Sequence, residues 1–355
     1  MGTRPRRVTM REIAAAVGVS VNTVSRALAG KDSVSEDTRA HIQAEAERLR
    51  YVPNSMARSL VLGAAMTVGL VITNPSNPLY SKLISTIEQH GRAHGYSLLL
   101  VATEENVENE QRAAHELLRW GVDGAIVVPV QTETAHWHRL PAAGLPIVFL
   151  NRDLPESASD FVGVDNVAAV YQATQHLLSM GAEQIYVLEE DLPISTIDQR
   201  IEGFTKAMTE AGRDVPDHAI VRVPSRRQDT SVFPWEPGES YAAARELIAT
   251  VDQPSAIMVG NDLFALGVYR ALGEAGLRVP QDVLVVGFGD HAFSGFITPP
   301  LTTVRLPAAD IGTSAFDLLL SRLEGVDEEW PPQKVLLPPE LIVRGSSTHN
   351  APDDT

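Results

Sequence analysis

Two hydrophobic patterns share this chain, and one gives way to the other near residue 66. Up to about residue 50 the apolar positions recur in short bursts of helical period. Residues 8–28 form two brief amphipathic segments parted by Gly18, Val19 and Ser20. A third runs to about Arg50, with Ile42, Ala46 and Leu49 on one face. Their starts are marked. Thr9 with Glu12 three residues on makes a capping box. Ser20 is placed to cap the second segment. Ser35 precedes Glu36 and Asp37, acids suited to the positive end of a helix dipole. Beyond residue 66 extended apolar runs appear at Met66–Ile72, Tyr96–Val101, Gly124–Val130, Pro146–Leu150, Phe161–Val164, Gln184–Glu189, Ile220–Val223, Ser255–Val259 and Val283–Phe288. Amphipathic patterns lie between most of them, at Leu79–Ala93, Val107–Trp120, Val167–Met180, Gln199–Ala211, Ser240–Ala249 and Asp262–Ala275. This alternation predicts parallel sheets with helices on both faces, and the number of strands favours two sheets over one.

The first two segments predict a helix-turn-helix. Gly18 can adopt the positive φ that a tight turn demands. Ala14, four residues earlier, is small enough for a second helix to cross closely. Val24, six residues later, returns an apolar side chain to the same small core. In that motif the second helix lies in the DNA major groove.

Charge changes the picture in the same direction. Residues 1–62 hold ten Lys/Arg and six Asp/Glu, a net of +4, in a chain whose total is −16, so the remainder carries −20. Basic character is confined to the head, where phosphate contact is expected. The acidic remainder favours solubility over nucleic acid. The 355 residues leave room for a small head and two medium lobes. The absence of cysteine excludes disulfides and thiolate chemistry. No apolar run reaches membrane-span length and the start shows no secretory h-region, so a cytoplasmic protein is expected. There is no Gly-x-Ser-x-Gly elbow and no phosphate loop, so no enzyme is expected. His136 and His138 flank Trp137 in a loop-like stretch, too few ligands for a metal site. Neither a metal nor a cofactor is expected. Glu104-Glu105 and Glu189-Glu190-Asp191 read as solvated turns.

The chain resembles the lactose-repressor/galactose-repressor family of transcription regulators. The resemblance is carried by residues 8–14, 21–26, Val34, Ser35, Thr38, Arg39 and 51–60, and it extends to about residue 344. It implies a helix-turn-helix domain over 1–50, a hinge helix and linker over 51–65, and a core over 66–345. The core would be of periplasmic-binding-protein type, with two Rossmann-like lobes. Its N-lobe would take about 66–163 and 306–327, its C-lobe about 164–304 and 332–345. The chain would cross between lobes near 163–165, 304–306 and 327–332. Residues 346–355 lack a leucine heptad and are expected to be a disordered, dispensable tail, leaving a homodimer built on core surfaces.

By the same resemblance, Val21, Asn22 and Arg26 read bases. The chemistry fits, since Asn can pair with adenine, Arg can fork onto guanine and Val can pack on a thymine methyl. Thr9, Ser20, Thr23, Ser25, Arg39, Tyr51 and Asn54 would meet phosphates. Pro53, Ala57 and Arg58 belong to the hinge, and Leu60 would wedge into the central step of a pseudo-palindromic double-stranded operator. A small-molecule effector would bind between the lobes at strand C-terminal ends. The candidates there are Asn74, Tyr80, Asn151, Arg152, Asp165, Asn261, Asp262 and Asp290, with Arg200 matching the family's cleft arginine and Trp235 a stacking aromatic. Amides, carboxylates and a guanidinium around an aromatic plate suit a carbohydrate. Sugar-binding relatives usually carry Asp where this chain has Asn151 and Gly289, which points to a less hydroxylated or more anionic effector. A repressor is the leading reading. An activator, or a co-repressor mode with a nucleoside-like or anionic effector, also fits these residues. A solute-binding protein could share the core, but the basic head and the missing h-region argue against it.

Overall fold

The computed structural model describes residues 8–28, 33–51, 64–225, 236–251, 254–325 and 331–348. The hinge positions Pro53, Asn54, Ala57, Arg58 and Leu60, and the aromatic Trp235, lie outside these residues. The chain divides into two units, Met1–Ala65 and Met66–Thr355.

In the first unit, helices α1 (Met10–Val17), α2 (Val21–Leu28) and α3 (Glu36–Arg48) begin at the caps their sequence marks. The Glu12 carboxylate accepts from the Thr9 backbone N–H at 2.7 Å. Ser20 Oγ accepts from the Thr23 N–H at 3.0 Å and Ser35 Oγ from the Thr38 N–H at 3.4 Å. Gly18 ends α1 at φ 76° and donates to the Ala14 carbonyl. A residue with a Cβ would be strained in that left-handed turn. Ile13, Ala14, Val24, Ala27, Val34, Ile42 and Ala46 close over one another as the core of this unit.

The second unit alternates strands and helices: β1 (Thr67–Ile72), α4 (Pro78–Ala93), β2 (Ser97–Ala102), α5 (Val107–Trp120), β3 (Gly124–Val127), α6 (Ala135–Ala142), β4 (Ile147–Leu150), β5 (Asp160–Val164), α7 (Asn166–Ser179), β6 (Ile185–Glu190), α8 (Ser195–Glu210), β7 (Ile220–Val223), α9 (Gly238–Thr250), β8 (Ala256–Val259), α10 (Asp262–Glu274), β9 (Leu284–Gly289), β10 (Thr302–Arg305), α11 (Ala308–Leu323), β11 (Lys334–Leu337) and β12 (Glu340–Ile342). Among the described residues these strands form two six-stranded sheets, ordered β11-β5-β4-β3-β1-β2 in the N-lobe and β12-β10-β9-β8-β6-β7 in the C-lobe. All pairs are parallel except β10 with β12. Strand periodicity explains why both faces of the first sheet are apolar. Val68, Leu70 and Ile72 face Leu83, Ile87 and Phe316, while Val71 faces the opposite way, toward Ala113, Leu117 and Trp137.

Three expectations are corrected. The chain passes between lobes after β5, after β10 and between β11 and β12. The third crossing is therefore near 338–339 rather than 327–332, and Lys334–Leu337 belongs to the N-lobe sheet. Secondly, residues 135–142 are helical rather than a loop. Trp137 is fully buried there, and His136 faces Glu110 at 3.1 Å. Thirdly, residues 346–348 of the expected tail are folded, while 349–355 lie outside the described residues. Gly345–Ser347 make a 3-10 turn in which Ser346 and Ser347 are fully buried. Ser346 Oγ donates to the Val285 carbonyl at 2.6 Å and accepts from the Thr302 N–H at 2.8 Å. Ser347 Oγ donates to Thr302 Oγ1 at 2.6 Å and meets His176 Nε2 at 2.7 Å.

The last residues of this turn should therefore matter to stability. A chain ending at Arg344 leaves Thr302 and Val285 with buried, unmade hydrogen bonds, and thermal or urea unfolding should show a loss of about 2–4 kcal/mol. A chain ending at Thr348 should unfold like the full protein. Equal stability of the two truncations would contradict the role given to Ser346 and Ser347.

Candidate functional site

Two surfaces carry chemistry. The first is the outer face of α2. Val24 and Ala27 turn inward, which places Val21, Asn22 and Arg26 together on the exposed side. Val21 is 41% exposed, an uncovered apolar residue at a helix start. Thr23 and Ser25 are half-buried at the margins of this face, and the Thr23 and Ser20 hydroxyls meet at 2.8 Å. Thr9 is exposed at the start of α1. Arg39 and Tyr51 are half-buried, and Tyr51 packs against the core of the head, so its ring has a structural task there. The helix offers a forked cation, an amide and a methyl-bearing side chain on one face, the set that distinguishes base edges in a major groove.

The second surface is a cleft between the two lobes, with about 650 Å³ of space that runs out into open solvent. Its walls come from the C-terminal ends of parallel strands in both sheets. Tyr80 stands beyond β1, Asn151 and Arg152 beyond β4, and Asn166 beyond β5. Glu189 and Glu190 end β6, Asn261 follows β8, and Gly289 and His291 close β9. Gln131 spans the gap beside it, donating to Ser195 Oγ at 2.9 Å while accepting from the Ser195 N–H at 3.0 Å.

Ion pairs fix the cleft's charged side chains. Arg152 is 1% exposed and forks onto Glu105 at 2.8 and 2.7 Å, with a third bond to the Pro129 carbonyl at 3.0 Å. Burial works against the guanidinium's charge, but Glu105 outweighs it and the Arg152 pKa is raised. On the opposite wall Arg200 meets Glu189 at 2.9 Å and lies over the Phe288 ring, 4.8 Å from its centroid. Burial pushes the Glu189 carboxyl up, and Arg200 pulls it back only in part. Glu190 is also buried and accepts from Ser225 Oγ at 2.7 Å. Glu105, Glu189 and Glu190 are thus parts of the interior, not the solvated turns their acidic neighbours suggested. Position could have revealed Glu189, since it ends the predicted strand Gln184–Glu189 on its ligand-facing side.

Tyr80, Asn151, Arg152, Arg200 and Asn261 line the cleft, whereas Asn74, Asp165, Asp262 and Asp290 do not. Asn74 accepts from the Ser76 N–H, and the neighbouring Asn77 takes the place in the wall. Asp165 caps α7 through the Ala168 N–H at 2.8 Å, leaving Asn166 in the wall. Asp262 is fully buried behind it. It accepts from Thr303 Oγ1 and Ser294 Oγ at 2.6 Å each and from the His291 N–H at 2.9 Å. Asp290 pairs with Arg305 and Arg344, both at 2.7 Å, and these two cations hold its pKa low against the effect of burial. His291 lines the wall in its stead and carried no sequence motif. Its pKa is lowered by burial.

Residues 9–54 match the family described as bacterial regulatory proteins, lacI family, and residues 174–347 match a periplasmic binding protein-like domain. The chain is 33% identical to the ribose operon repressor of Escherichia coli (strain K12), over 96% of this chain and 99% of that one. A solved Lac repressor dimer, bound to operator and the anti-inducer ONPF, superposes with a TM-score of 0.84 at 26% identity, covering 96% of this chain and 99% of that one. A LacI family transcriptional regulator from Enterococcus faecium with bound ribose gives 0.68 at 27% identity, covering 80% of this chain and 100% of that one.

The Arg152–Glu105 pair sets a direct test. Removing one partner of a buried ion pair strands the other, so Glu105→Ala should cost about 3–5 kcal/mol in urea unfolding. A loss under about 1 kcal/mol would mean that Arg152 finds its compensation elsewhere.

Proposed function

Because this chain belongs to the lacI family of bacterial regulatory proteins, we propose that it is a homodimeric, cytoplasmic repressor whose grip on a pseudo-palindromic operator is set by a neutral, sugar-like effector in the interlobe cleft. DNA binding and an effector-binding core come with family membership. The homodimer is supported by the structural neighbour described as a Lac repressor dimer on its operator. The relatives are transcription repressors.

The observation that carries the effector class is the charge of the cleft. Among the described residues, Arg152 and Arg200 are the arginines of its wall, and each is already paired with a carboxylate, Glu105 and Glu189. Glu190 adds a further buried carboxylate. With both arginines already neutralised, an incoming phosphate or carboxylate would have to displace a resident carboxylate to gain a cation among the described residues. A neutral polyol meets what it needs: carboxylates accept from its hydroxyls, and the amides of Asn151, Asn166 and Asn261 donate and accept. Tyr80, Phe264 and Phe288 offer apolar faces for ring carbons. The missing carboxylates at 151 and 289 are therefore offset by Glu189 and Glu190, which argues against the anionic alternative. The ribose complex of a neighbour and the ribose operon repressor point to the same class.

A thermal-shift series separates the classes. A free aldopentose or aldohexose at one hundred times its Kd should stabilise the native chain by about 2.7 kcal/mol. The matching sugar phosphates should give no shift. Shifts with phosphates alone would overturn the assignment.

On the head, base reading is assigned to Val21, Asn22 and Arg26, and backbone contact to Thr9, Ser20, Thr23, Ser25, Arg39 and Tyr51. Arg26→Ala should weaken operator binding by about 1–3 kcal/mol and relax preference at one guanine, as read by gel shift over a set of single-base operator variants. Uniform weakening across all sequences would make Arg26 a phosphate contact instead.

A further inference from the structure

We propose that His291 is an effector-recognition residue, its imidazole completing the hydrogen bonding of one ligand hydroxyl. This rests on the reading that the cleft holds a small polyhydroxylated effector, and it adds a contact to that reading.

The ring is in the cleft wall and only 7% of His291 is exposed. Its Nε2 is enclosed and has no hydrogen-bond partner among the described residues. Buried polar atoms in folded proteins nearly always have a partner, so an orphan at the edge of the interlobe cleft marks a contact that a ligand completes. The surroundings hold the ring in place. The His291 N–H is tied to Asp262, which is itself anchored by Thr303 and Ser294. The ring stands edge-on to Phe293, with centroids 5.9 Å apart. Position 289 is the clearest sign that the site is built around this imidazole. A Cβ on Gly289 would lie 2.8 Å from His291 Cε1 and 3.2 Å from Nδ1, so only a residue without one lets the ring sit where it does. Gly289 is also at φ 132°, a backbone conformation open to glycine.

The chemistry of the ring suits a hydroxyl. Burial disfavours the charged form, and Lys82 acts in the same direction, while Asp262 and Asp290 oppose them. The net direction is toward a neutral imidazole, which has one donor nitrogen and one acceptor nitrogen. A hydroxyl can answer either. A ring held in advance loses little freedom when the ligand arrives, so the contact is preorganised.

The competing role is a spacer that merely fills the volume beside Gly289. Calorimetric titration of the full chain with a panel of free aldopentoses and aldohexoses, on wild type, His291→Leu and His291→Gln, separates the two. Leucine keeps the bulk without the nitrogens, and glutamine restores an amide near the position of Nε2. The best-binding sugar should lose at least tenfold in affinity with His291→Leu and recover in part with His291→Gln. In wild type the imidazole ¹⁵N resonances absent from His291→Gln should move at saturation. Equal affinity in wild type and His291→Leu would overturn the inference and leave the effector reading standing. Should His291→Leu fail to fold, unmoved imidazole resonances in the saturated wild type would overturn it. If no sugar in the panel binds wild type, the effector reading itself falls and takes the inference with it.

Discussion

The Asp262 carboxylate sees neither solvent nor the cleft, and the ligand-facing side of the C-lobe hangs on it. It sits at the start of α10, where the helix dipole favours negative charge, and it is fully buried. A buried carboxylate is costly unless its oxygens are satisfied. Thr303 and Ser294 hydroxyls and the His291 N–H satisfy them. Those three donors come from β10 and from the loop after β9, so one side chain locks helix, strand and loop into a single arrangement. The next residue back in that loop, Asp290, faces away and grips Arg305 and Arg344. Arg305 ends β10 at one crossing between lobes, and Arg344 follows β12, the strand just beyond another. The loop that presents His291 to the cleft is thus tied to segments on which the lobes turn.

That connection gives the cleft leverage. The lobes are joined by three short passages, and Gln131 reaches from the N-lobe to Ser195 at the start of α8. A ligand that touches Arg152 and Asn151 on one wall and Glu189 and His291 on the other favours whichever lobe arrangement satisfies both walls. It can shift that balance only by its difference in affinity for the two arrangements. The walls are suited to discriminate, because their charges are neutralised in advance and their amides are aimed by strand ends. Solvent-exposed ion pairs would have left the same residues mobile and screened.

Much of this was legible in the sequence, for identifiable reasons. The helix-turn-helix declares itself through local signals, with Thr9, Ser20 and Ser35 at helix starts and Gly18 at φ 76° in the turn. Seven of the nine strands read from the sequence are central and buried, and they were readable because parallel strands covered on both faces are continuous apolar runs, whereas β2 and β7 lie at sheet edges and are partly exposed. β10 was missed because Thr302 and Thr303 look polar, although their hydroxyls are fully buried and bonded inside. β11 and β12 were missed because they are short edge strands, half exposed and without a distinct period. In the cleft the family pattern found Arg200, and strand-end logic found Asn151, Arg152 and Asn261. The same logic misplaced Asp165, Asp262 and Asp290, because a carboxylate after a strand serves a helix cap or an internal ion pair as readily as a ligand. Glu105, Glu190 and His291 were hidden because their partners, or in the case of His291 its orphaned nitrogen, are set by tertiary structure alone, whereas Glu189 could have been reached by the same strand-end logic.

The most direct test is reciprocity between cleft and head. Operator affinity is measured by fluorescence anisotropy on a pseudo-palindromic site recovered by in vitro selection, with and without a saturating sugar that stabilises the chain. A change of tenfold or more in operator Kd is predicted, matched by an equal change in sugar affinity when operator is bound. An operator Kd that stays the same while the cleft is demonstrably filled would contradict the account.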